Sequence, residues 1–319
     1  MGRNHRPDSA RSIVESTDRP GGFDRHALGA SIPMTTSTKS STSARSAGSA
    51  PVAAYVREQI SAIREGDAGL RRGEDPIHAT RVAIRRLRST MRVFADAFDP
   101  AVATGVDEEL SWYAGILGHV RDHEVQRARF AQAVADLPDE WVLGPVAADI
   151  ETTLAAEQRT YRADVDTVLA GDRYAALISA LDTLDTAVRP LSRRNVTSLA
   201  NKAGKKARTR LRDAIAGEAS DDDALHRARK AFKRARYAAE LAAPLLGKKQ
   251  AKRTIRRYKH VQEVLGEHQD SLVAAEFLRR LGAAAGTRPV ENGFTYGLLF
   301  ANEQQAAAVA RRVARALKL

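Results

Sequence analysis

Two series of basic residues, each beginning with a histidine, could hold a chain of negative charges. The first series steps along the chain by three and four residues, through His78, Arg81, Arg85, Arg88 and Arg92. An α-helix has about 3.6 residues per turn, so these side chains fall on one stripe of a helix. Arginine makes forked contacts with phosphate oxygens, and lysine contributes a point charge. The stripe is about 21 Å long at 1.5 Å per residue, which suits an extended polyanion better than a single phosphate.

The same spacing recurs 148 residues later, in His226, Arg229, Lys233 and Arg236. A second pair of segments matches at the same offset, with Leu117-Gly118 and Asp122 repeated as Leu265-Gly266 and Asp270. Two separate blocks at one offset indicate an internal duplication. A solvated face is the simpler interpretation of one stripe alone, but such a face needs no histidine at a fixed position. The recurrence therefore favours a binding role for both stripes.

Further basic residues could extend this surface on the helices that flank the second stripe. Two sets are candidates for secondary binding: Lys202, Lys206 and Arg210 before it, and Lys252, Arg256 and Lys259 after it. A solvated face is the alternative for each set. Arg86 and Arg234 lie well away from the stripes on a helical wheel, so we expect them to be surface or salt-bridge residues.

The repeated acids and a histidine pair offer little chemistry of their own. A carboxylate beside a cationic surface more often orients a basic side chain than performs catalysis, and we expect this of Asp122 and its repeat partner Asp270. His119 and His123 have a spacing that suits metal ligands, but the second copy has no such pair. Phosphate-binding loops and serine nucleophile motifs are missing. We therefore expect no metal site, no cofactor and no catalytic residue.

The elements that carry these residues all have the period of an α-helix. Pro51 begins the first pattern, and the segment from His78 to Phe98 alternates apolar and basic stripes. Further helices are predicted at 107–136, 143–169, 173–187, 196–216, 222–246, 248–281 and 294–317. Gly115 and Gly118 are expected to interrupt the helix over 107–136, because glycine costs about 1 kcal/mol there relative to alanine. Residues 1–50 lack periodicity and read as a disordered tail.

The chain is therefore predicted to be all-α, with two helical bundles related by a pseudo-twofold axis, as a first repeat over residues 51–190 and a second over 191–319. Its net charge is +12, and residues 131–190 are the acidic exception, with 4 basic and 11 acidic residues. Such a segregated positive field implies an anionic partner. Cysteine is absent, and no apolar run approaches the ~20 residues that span a bilayer. We expect a soluble cytoplasmic protein with no membrane partner.

The basic blocks resemble a known family. His78-x-x-Arg81-x-x-x-Arg85-Arg86-Leu87-Arg88 looks like the signature of the CHAD family, the conserved histidine α-helical domain, and the segment from Leu225 to Tyr237 resembles a second copy. The resemblance covers about residues 50–319. It implies a basic central surface or pore that binds inorganic polyphosphate through the histidines and basic residues of both stripes, and association with polyphosphate granules in some members. Gln269 stands where the first copy has Arg121, a departure from the repeated pattern.

We accordingly predict a non-enzymatic module that binds polyphosphate. Some relatives carry a triphosphate-processing domain, but its Glu-x-Glu-x-Lys motif is missing here, so no activity is transferred. A basic protein that binds nucleic acid is the first alternative, although no base-reading element or stacking platform is evident. A phosphate-transferring or phosphate-hydrolysing enzyme is the second, and it would need an activating carboxylate or metal site. The oligomeric state and the preferred chain length are left open.

Overall fold

The computed structural model describes residues 39–216, 221–287 and 292–317, and their side chains from residue 51 onward. Every regular element in these ranges is helical: α1 (Lys39–Arg71), α2 (Ile77–Val93), α3 (Pro100–Ala135), α4 (Val146–Leu169), α5 (Asp172–Thr186), α6 (Arg193–Ala216), α7 (Asp222–Ala242), α8 (Lys248–Ala285) and α9 (Phe294–Ala316). Short 3-10 turns lie at Ala95–Ala97, Asp139–Trp141 and Ala243–Leu245. The all-α class is confirmed. None of the described helices is long and apolar enough to cross a membrane.

The start of the helical region differs from the boundary set by the sequence. Most of the predicted tail, residues 1–38, lies outside the described residues. Helix α1 begins at Lys39, ahead of the boundary predicted at residue 51. Pro51 lies inside α1 instead of at its start, so the proline that suggested a first turn is accommodated within a longer helix.

The apolar stripe of α2 packs as its period predicts. Ile84, Leu87 and Met91 are buried, as are Phe94 and Phe98 beyond the helix end. Burying a side chain of this kind contributes roughly 1.5–3 kcal/mol relative to leaving it exposed. The adjoining basic stripe is thereby held at the edge of the core, with its charged groups directed away from the buried apolar side chains.

Helix α3 runs without a break through both of its central glycines, so the predicted interruption is wrong. Gly115 is exposed and Gly118 is buried within the continuous helix. Packing of Leu110, Tyr113 and Leu117, all fully buried, outweighs the weak helix propensity of glycine. Asp99 begins the helix, since its side chain accepts hydrogen bonds from the backbone N–H of Ala101 at 3.0 Å and of Val102.

The apolar core crosses residue 190, the boundary predicted between the repeats. The largest apolar cluster combines α1, α2, α3 and α5 with Val196 of α6 and Leu241 of α7. Another joins α3 and α4 to α8 and α9, where the ring of Phe130 stacks on that of Phe277 at 5.2 Å. These shared clusters place α2 directly against α7. The two helices that bear the basic stripes are therefore neighbours.

Candidate functional site

A basic cavity opens between α2 and α7, with a volume of about 380 Å³. Helix α2 contributes Arg85, Arg88, Ser89 and Arg92, α3 contributes Ser111, and α7 contributes Lys230, Lys233, Arg234 and Tyr237. Six of these lining residues are cationic and none is a carboxylate. We refer to this opening as the α2–α7 cavity. It brings members of both predicted stripes to one place.

A second cavity of about 200 Å³ adjoins the first on the side of α6. Three of its basic lining residues are the predicted secondary residues Lys202, Lys206 and Arg210. The other two are Arg92 and Arg234. Because Arg92 and Arg234 line both openings, this α6 cavity and the α2–α7 cavity form one continuous basic surface.

The other predicted secondary set lies elsewhere. Lys252, Arg256 and Lys259 are exposed on α8 and line neither of these two cavities. Lys259 forms an exposed ion pair with Glu263 at 3.5 Å, one turn further along its own helix. Their nearness to the second stripe in sequence does not bring them to the same opening.

Arg234 corrects the expectation from the helical wheel. Instead of pointing away into solvent, its half-buried side chain lines both cavities. Burial, followed by the guanidinium groups of Arg210 and Arg92, lowers its pKa. Arg86 does behave as expected, since it pairs with Glu240 of α7 at 3.3 Å. A wheel drawn for one helix cannot show that a neighbouring helix extends the cavity beyond the stripe.

Two predicted binding arginines are held against glycines by the predicted carboxylates. Arg81 Nη1 donates to the Gly118 carbonyl and to Asp122 Oδ1, both at 3.0 Å. A Cβ on Gly118 would lie only 3.3 Å from Arg81 Nη2, so the glycine lets the guanidinium lie directly on the backbone of α3.

The matching residues of the second stripe repeat this arrangement. Arg229 pairs with Asp270 at 3.5 Å, and a Cβ on Gly266 would lie 3.2 Å from Arg229 Nη2. Burial raises the pKa of Asp270 although Arg229 opposes the rise. The orienting role expected of both aspartates agrees with these contacts, and the duplication stays a prediction.

Carboxylates that sequence reasoning missed neutralise part of the remaining stripe. Arg88 and Arg92 donate to opposite oxygens of Asp107, at 2.9 and 2.5 Å. Burial opposes ionisation of Asp107, but the hydrogen bonds from both arginines keep its pKa below the usual range. On α7, Arg236 pairs with Glu240 at 3.4 Å. A basic residue followed by an acid four positions later was the available signal only for this last pair.

Arg85 and Lys233 form no ion pair with a carboxylate among the described residues. The Nε atom of Arg85 is buried without a hydrogen-bond partner among the described residues. Asp270 pairs with Arg229, and no carboxylate in the described ranges forms an ion pair with Lys233. Burial, with the nearby charges of Arg229 and Arg85, lowers the pKa of Lys233 to about 7. Arg85, from the first stripe, therefore has a buried charge without a carboxylate in an ion pair among the described residues, and Lys233, from the second, loses part of its charge near neutral pH.

The two stripe histidines lie beside the cavity instead of lining it. His78 is exposed near the start of α2, and His226 is half-buried with its Nδ1 donating to Gln269 Oε1 at 2.9 Å. Desolvation lowers the pKa of both, reinforced by Arg121 at His78 and by Lys230 at His226. Gln269 therefore serves as the partner of the second histidine, at the position where the first half has arginine.

The other histidine pair is engaged in structural contacts. His123 bonds the His119 carbonyl through Nδ1 at 2.6 Å and Glu157 through Nε2 at 2.7 Å. The ring of His119 stacks on Tyr161 at 4.7 Å. Within the described residues, no group of three or more His, Cys, Asp or Glu side chains could hold a metal ion. Both nitrogens of His123 are thus already used by protein groups.

Comparisons with known proteins agree with this architecture. Two curated Mycobacterium tuberculosis proteins, "Uncharacterized protein MT2285" of strain CDC 1551 / Oshkosh and "Uncharacterized protein Rv2226" of strain ATCC 25618 / H37Rv, are 32% identical over 266 residues. The match covers 79% of this chain and 49% of each relative. The chain therefore spans about half the length of the curated relatives it matches.

Two solved structures share the fold. PptA from Streptomyces chartreusis aligns with a TM-score of 0.69 at 20% identity, over 84% of this chain and 97% of that one. The crystal structure of the CHAD domain from the plant Ricinus communis aligns with a TM-score of 0.64 at 23% identity, over 85% and 92%. The sequence model of the CHAD domain matches residues 54–279. With this match over most of its length, the chain belongs to the CHAD domain family.

Proposed function

We propose that this protein binds inorganic polyphosphate along the α2–α7 cavity and onward into the α6 cavity, without catalysing a reaction. The observation that carries the proposal is the convergence of six cations from two helices on one opening whose lining includes no carboxylate. Membership of the CHAD domain family supports it. A linear polyanion satisfies such a surface because each successive phosphate can meet a different cation.

The proposed binding uses two kinds of basic residue. Arg85 and Lys233 form no ion pair with a carboxylate among the described residues and gain the most from an incoming phosphate. The phosphate would compensate the buried guanidinium of Arg85 and favour the charged form of Lys233, which is partly neutral near pH 7. Arg88 and Arg92 are already oriented by Asp107 and offer their remaining N–H groups in a fixed position. Charge-assisted hydrogen bonds then hold the phosphates, and the counterions released from the polyanion add to the affinity.

Binding of nucleic acid is the competing function, and the position of Tyr237 disfavours its single-stranded form. Tyr237 is the aromatic residue that lines the α2–α7 cavity, but it is only 2% exposed. The guanidinium carbons of Arg236 and Arg86 lie 4.8 and 5.8 Å from its ring centroid. A base cannot stack on a ring covered in this way. Polyphosphate needs no such platform. Recruitment to cytoplasmic polyphosphate granules is the cellular role that follows from the proposal.

A double charge reversal tests the proposal. In Arg85→Glu with Lys233→Glu, the affinity for long polyphosphate should fall at least ~100-fold, since a hydrogen bond to a charged group contributes about 1.5–3 kcal/mol. The matched control is Lys248→Glu with Lys249→Glu, which makes the same change of charge on exposed residues of α8. It should lose far less affinity.

Calorimetry with long polyphosphate, pyrophosphate and duplex DNA, at equal phosphate concentration and salt, provides the readout. Long polyphosphate should bind most tightly, because pyrophosphate reaches only part of the surface. Equal losses in the two double variants contradict a specific site. Tighter binding of DNA than of polyphosphate supports the competing function instead.

A further inference from the structure

The amine of Lys233 has an environment unlike that of an ordinary surface lysine. It is half-buried on α7 and lines the α2–α7 cavity with Arg85, Arg88, Arg92 and Arg234. Among the described residues it has no carboxylate partner within ion-pair distance, since Asp270 pairs with Arg229. The geometry thus places a primary amine in the lining of a cavity whose wall is formed largely by guanidinium groups.

This environment makes the amine a nucleophile near neutral pH. Burial and the neighbouring cations lower the pKa of Lys233 to about 7, so roughly three quarters of it is neutral at pH 7.5, against about 0.1% for an ordinary lysine. A weaker base is also a weaker nucleophile. With the slope of 0.4–0.5 known for thiols, that loss is about 25- to 50-fold. The net gain in reactivity is therefore about 15- to 30-fold before any binding of the reagent is considered.

We propose that Lys233 is a site of covalent acylation by small acyl phosphates, whose phosphate group is held by the arginines of the α2–α7 cavity while the acyl carbon meets the lysine amine. Holding two reactants together raises their effective concentration, so a phosphate-bearing donor gains a further advantage over an uncharged one. This inference requires an anion site at the cavity but does not require polyphosphate as the ligand.

The reaction balances without any further reagent. The lone pair of neutral Lys233 Nζ attacks the carbonyl carbon of the acyl phosphate and forms a C–N bond. The C–O bond to phosphorus-bound oxygen breaks, and inorganic phosphate leaves with that electron pair. The nitrogen loses one proton to solvent and becomes a neutral amide. The guanidinium groups that held the reagent also stabilise the leaving phosphate.

Acylation would oppose the proposed function. It removes one positive charge from the wall of the cavity and adds a neutral group there. Where polyphosphate is the ligand, as proposed above, the protein acetylated at Lys233 by acetyl phosphate should bind polyphosphate more weakly than the unmodified protein. Such a modification would link polyanion binding to the supply of activated acyl groups.

The rate of Lys233 acylation should rise with pH across the neutral range and level off at a lower pH than the rate at other lysines. A bound phosphate favours the ammonium form, which shifts the rise somewhat above pH 7. The charged and titratable groups that face the amine are the following: Arg85, Arg88 and Arg92 on α2, His226, Arg229, Lys230, Arg234 and Arg236 on α7, and Asp270 on α8. Most of them are cationic and therefore favour the neutral amine.

The test is incubation of the full chain with acetyl phosphate, followed by mass-spectrometric mapping of acetylated lysines over time. Lys249, exposed on α8, is the internal reference. At pH 7.5, Lys233 should react at least ~10-fold faster than Lys249, from the balance of neutral fraction and nucleophilicity. Pyrophosphate should protect Lys233 and leave Lys249 unaffected. Equal rates at the two lysines overturn the proposal.

A second arm tests recognition of the phosphate. Arg234→Gln removes a lining guanidinium that is separate from Arg229 and Arg85, the charges that most lower the pKa of Lys233. It should reduce the preference for Lys233 with acetyl phosphate, and it should change the reaction with an uncharged acetyl ester much less. Equal preference with both donors in the unmodified protein overturns the role of the arginines. Selective acylation in a protein that does not bind polyphosphate contradicts only the proposed function. Polyphosphate binding without selective acylation contradicts only the inference that Lys233 is acylated.

Discussion

Replacement of Lys233 by arginine should abolish most of the pH dependence of polyphosphate binding above pH 7. In the free protein the pKa of Lys233 is lowered to about 7, so the side chain loses its charge as the pH rises through neutrality. A bound polyanion favours the ammonium form and raises this pKa. Binding above pH 7 must therefore take up a proton. Arginine stays charged throughout this range and needs none.

The magnitude follows from the size of the shift. Each pKa unit corresponds to 1.36 kcal/mol, about a factor of ten in affinity. If the bound lysine returns to its ordinary pKa, the wild-type association constant falls by up to about tenfold per pH unit above 7, and by up to ~100-fold between pH 7 and 9. The association constant of Lys233→Arg should fall by less than about threefold over that interval. Near pH 6, where both side chains are charged, the two proteins should bind polyphosphate with equal affinity.

Calorimetry from pH 6 to 9, in pairs of buffers with different ionisation enthalpies, measures both affinity and proton uptake. Wild type should take up close to one proton per site near pH 8, from the titration of a single amine, and Lys233→Arg should take up markedly less. Lys230→Arg is the matched control, because it makes the same change at an exposed residue of the same cavity. It should keep the wild-type profile. If Lys233→Arg also keeps that profile, the uncompensated amine is not the group that titrates.

Three further measurements test other parts of the account. Because the pKa of both His78 and His226 is lowered, affinity should rise as the pH falls from 7 to 5, and replacing both with glutamine should flatten that segment of the profile. Gly66→Ala should destabilise by about 1–3 kcal/mol in urea unfolding, because its Cβ would lie 2.0 Å from Thr80 Oγ1 at the α1–α2 crossing. Gly105→Ala, with nothing within 4 Å of the new Cβ, should instead be neutral or gain up to ~1 kcal/mol, and a Gly66→Ala variant as stable as wild type would refute the close approach. The logarithm of polyphosphate affinity should fall steeply with the logarithm of salt concentration, and a nearly flat response would contradict binding through many ionic contacts.

Most helix positions could be predicted from the sequence, because the period of apolar residues follows directly from which face is buried. The predicted segment at 173–187 agrees with α5 at Asp172–Thr186, and that at 294–317 agrees with α9 at Phe294–Ala316. The predicted break in α3 failed because an isolated glycine says nothing about its surroundings. At Gly118 those surroundings are a guanidinium group resting on the helix.

The site was partly predictable for the same reason. Spacing of three and four residues places Arg85 on one face of α2 and Lys233 on one face of α7 whatever else the chain does. It also aligned Lys202 with Lys206 on α6, and both line the adjoining cavity. Sequence could not distinguish this set from the one containing Lys252, which is exposed on another helix, because both lie equally near the second stripe along the chain.

The sequence by itself determined the helical class, the two basic stripes and the repeat of a histidine at the head of each, since all three are properties of local spacing. Only the tertiary structure decided which cations are left unbalanced. Asp107 neutralises Arg88 from a different helix, whereas Lys233 is buried among arginines with no carboxylate partner in the described ranges. Charge compensation and desolvation depend on groups that meet only when distant segments pack together, and a linear spacing rule contains no information about them.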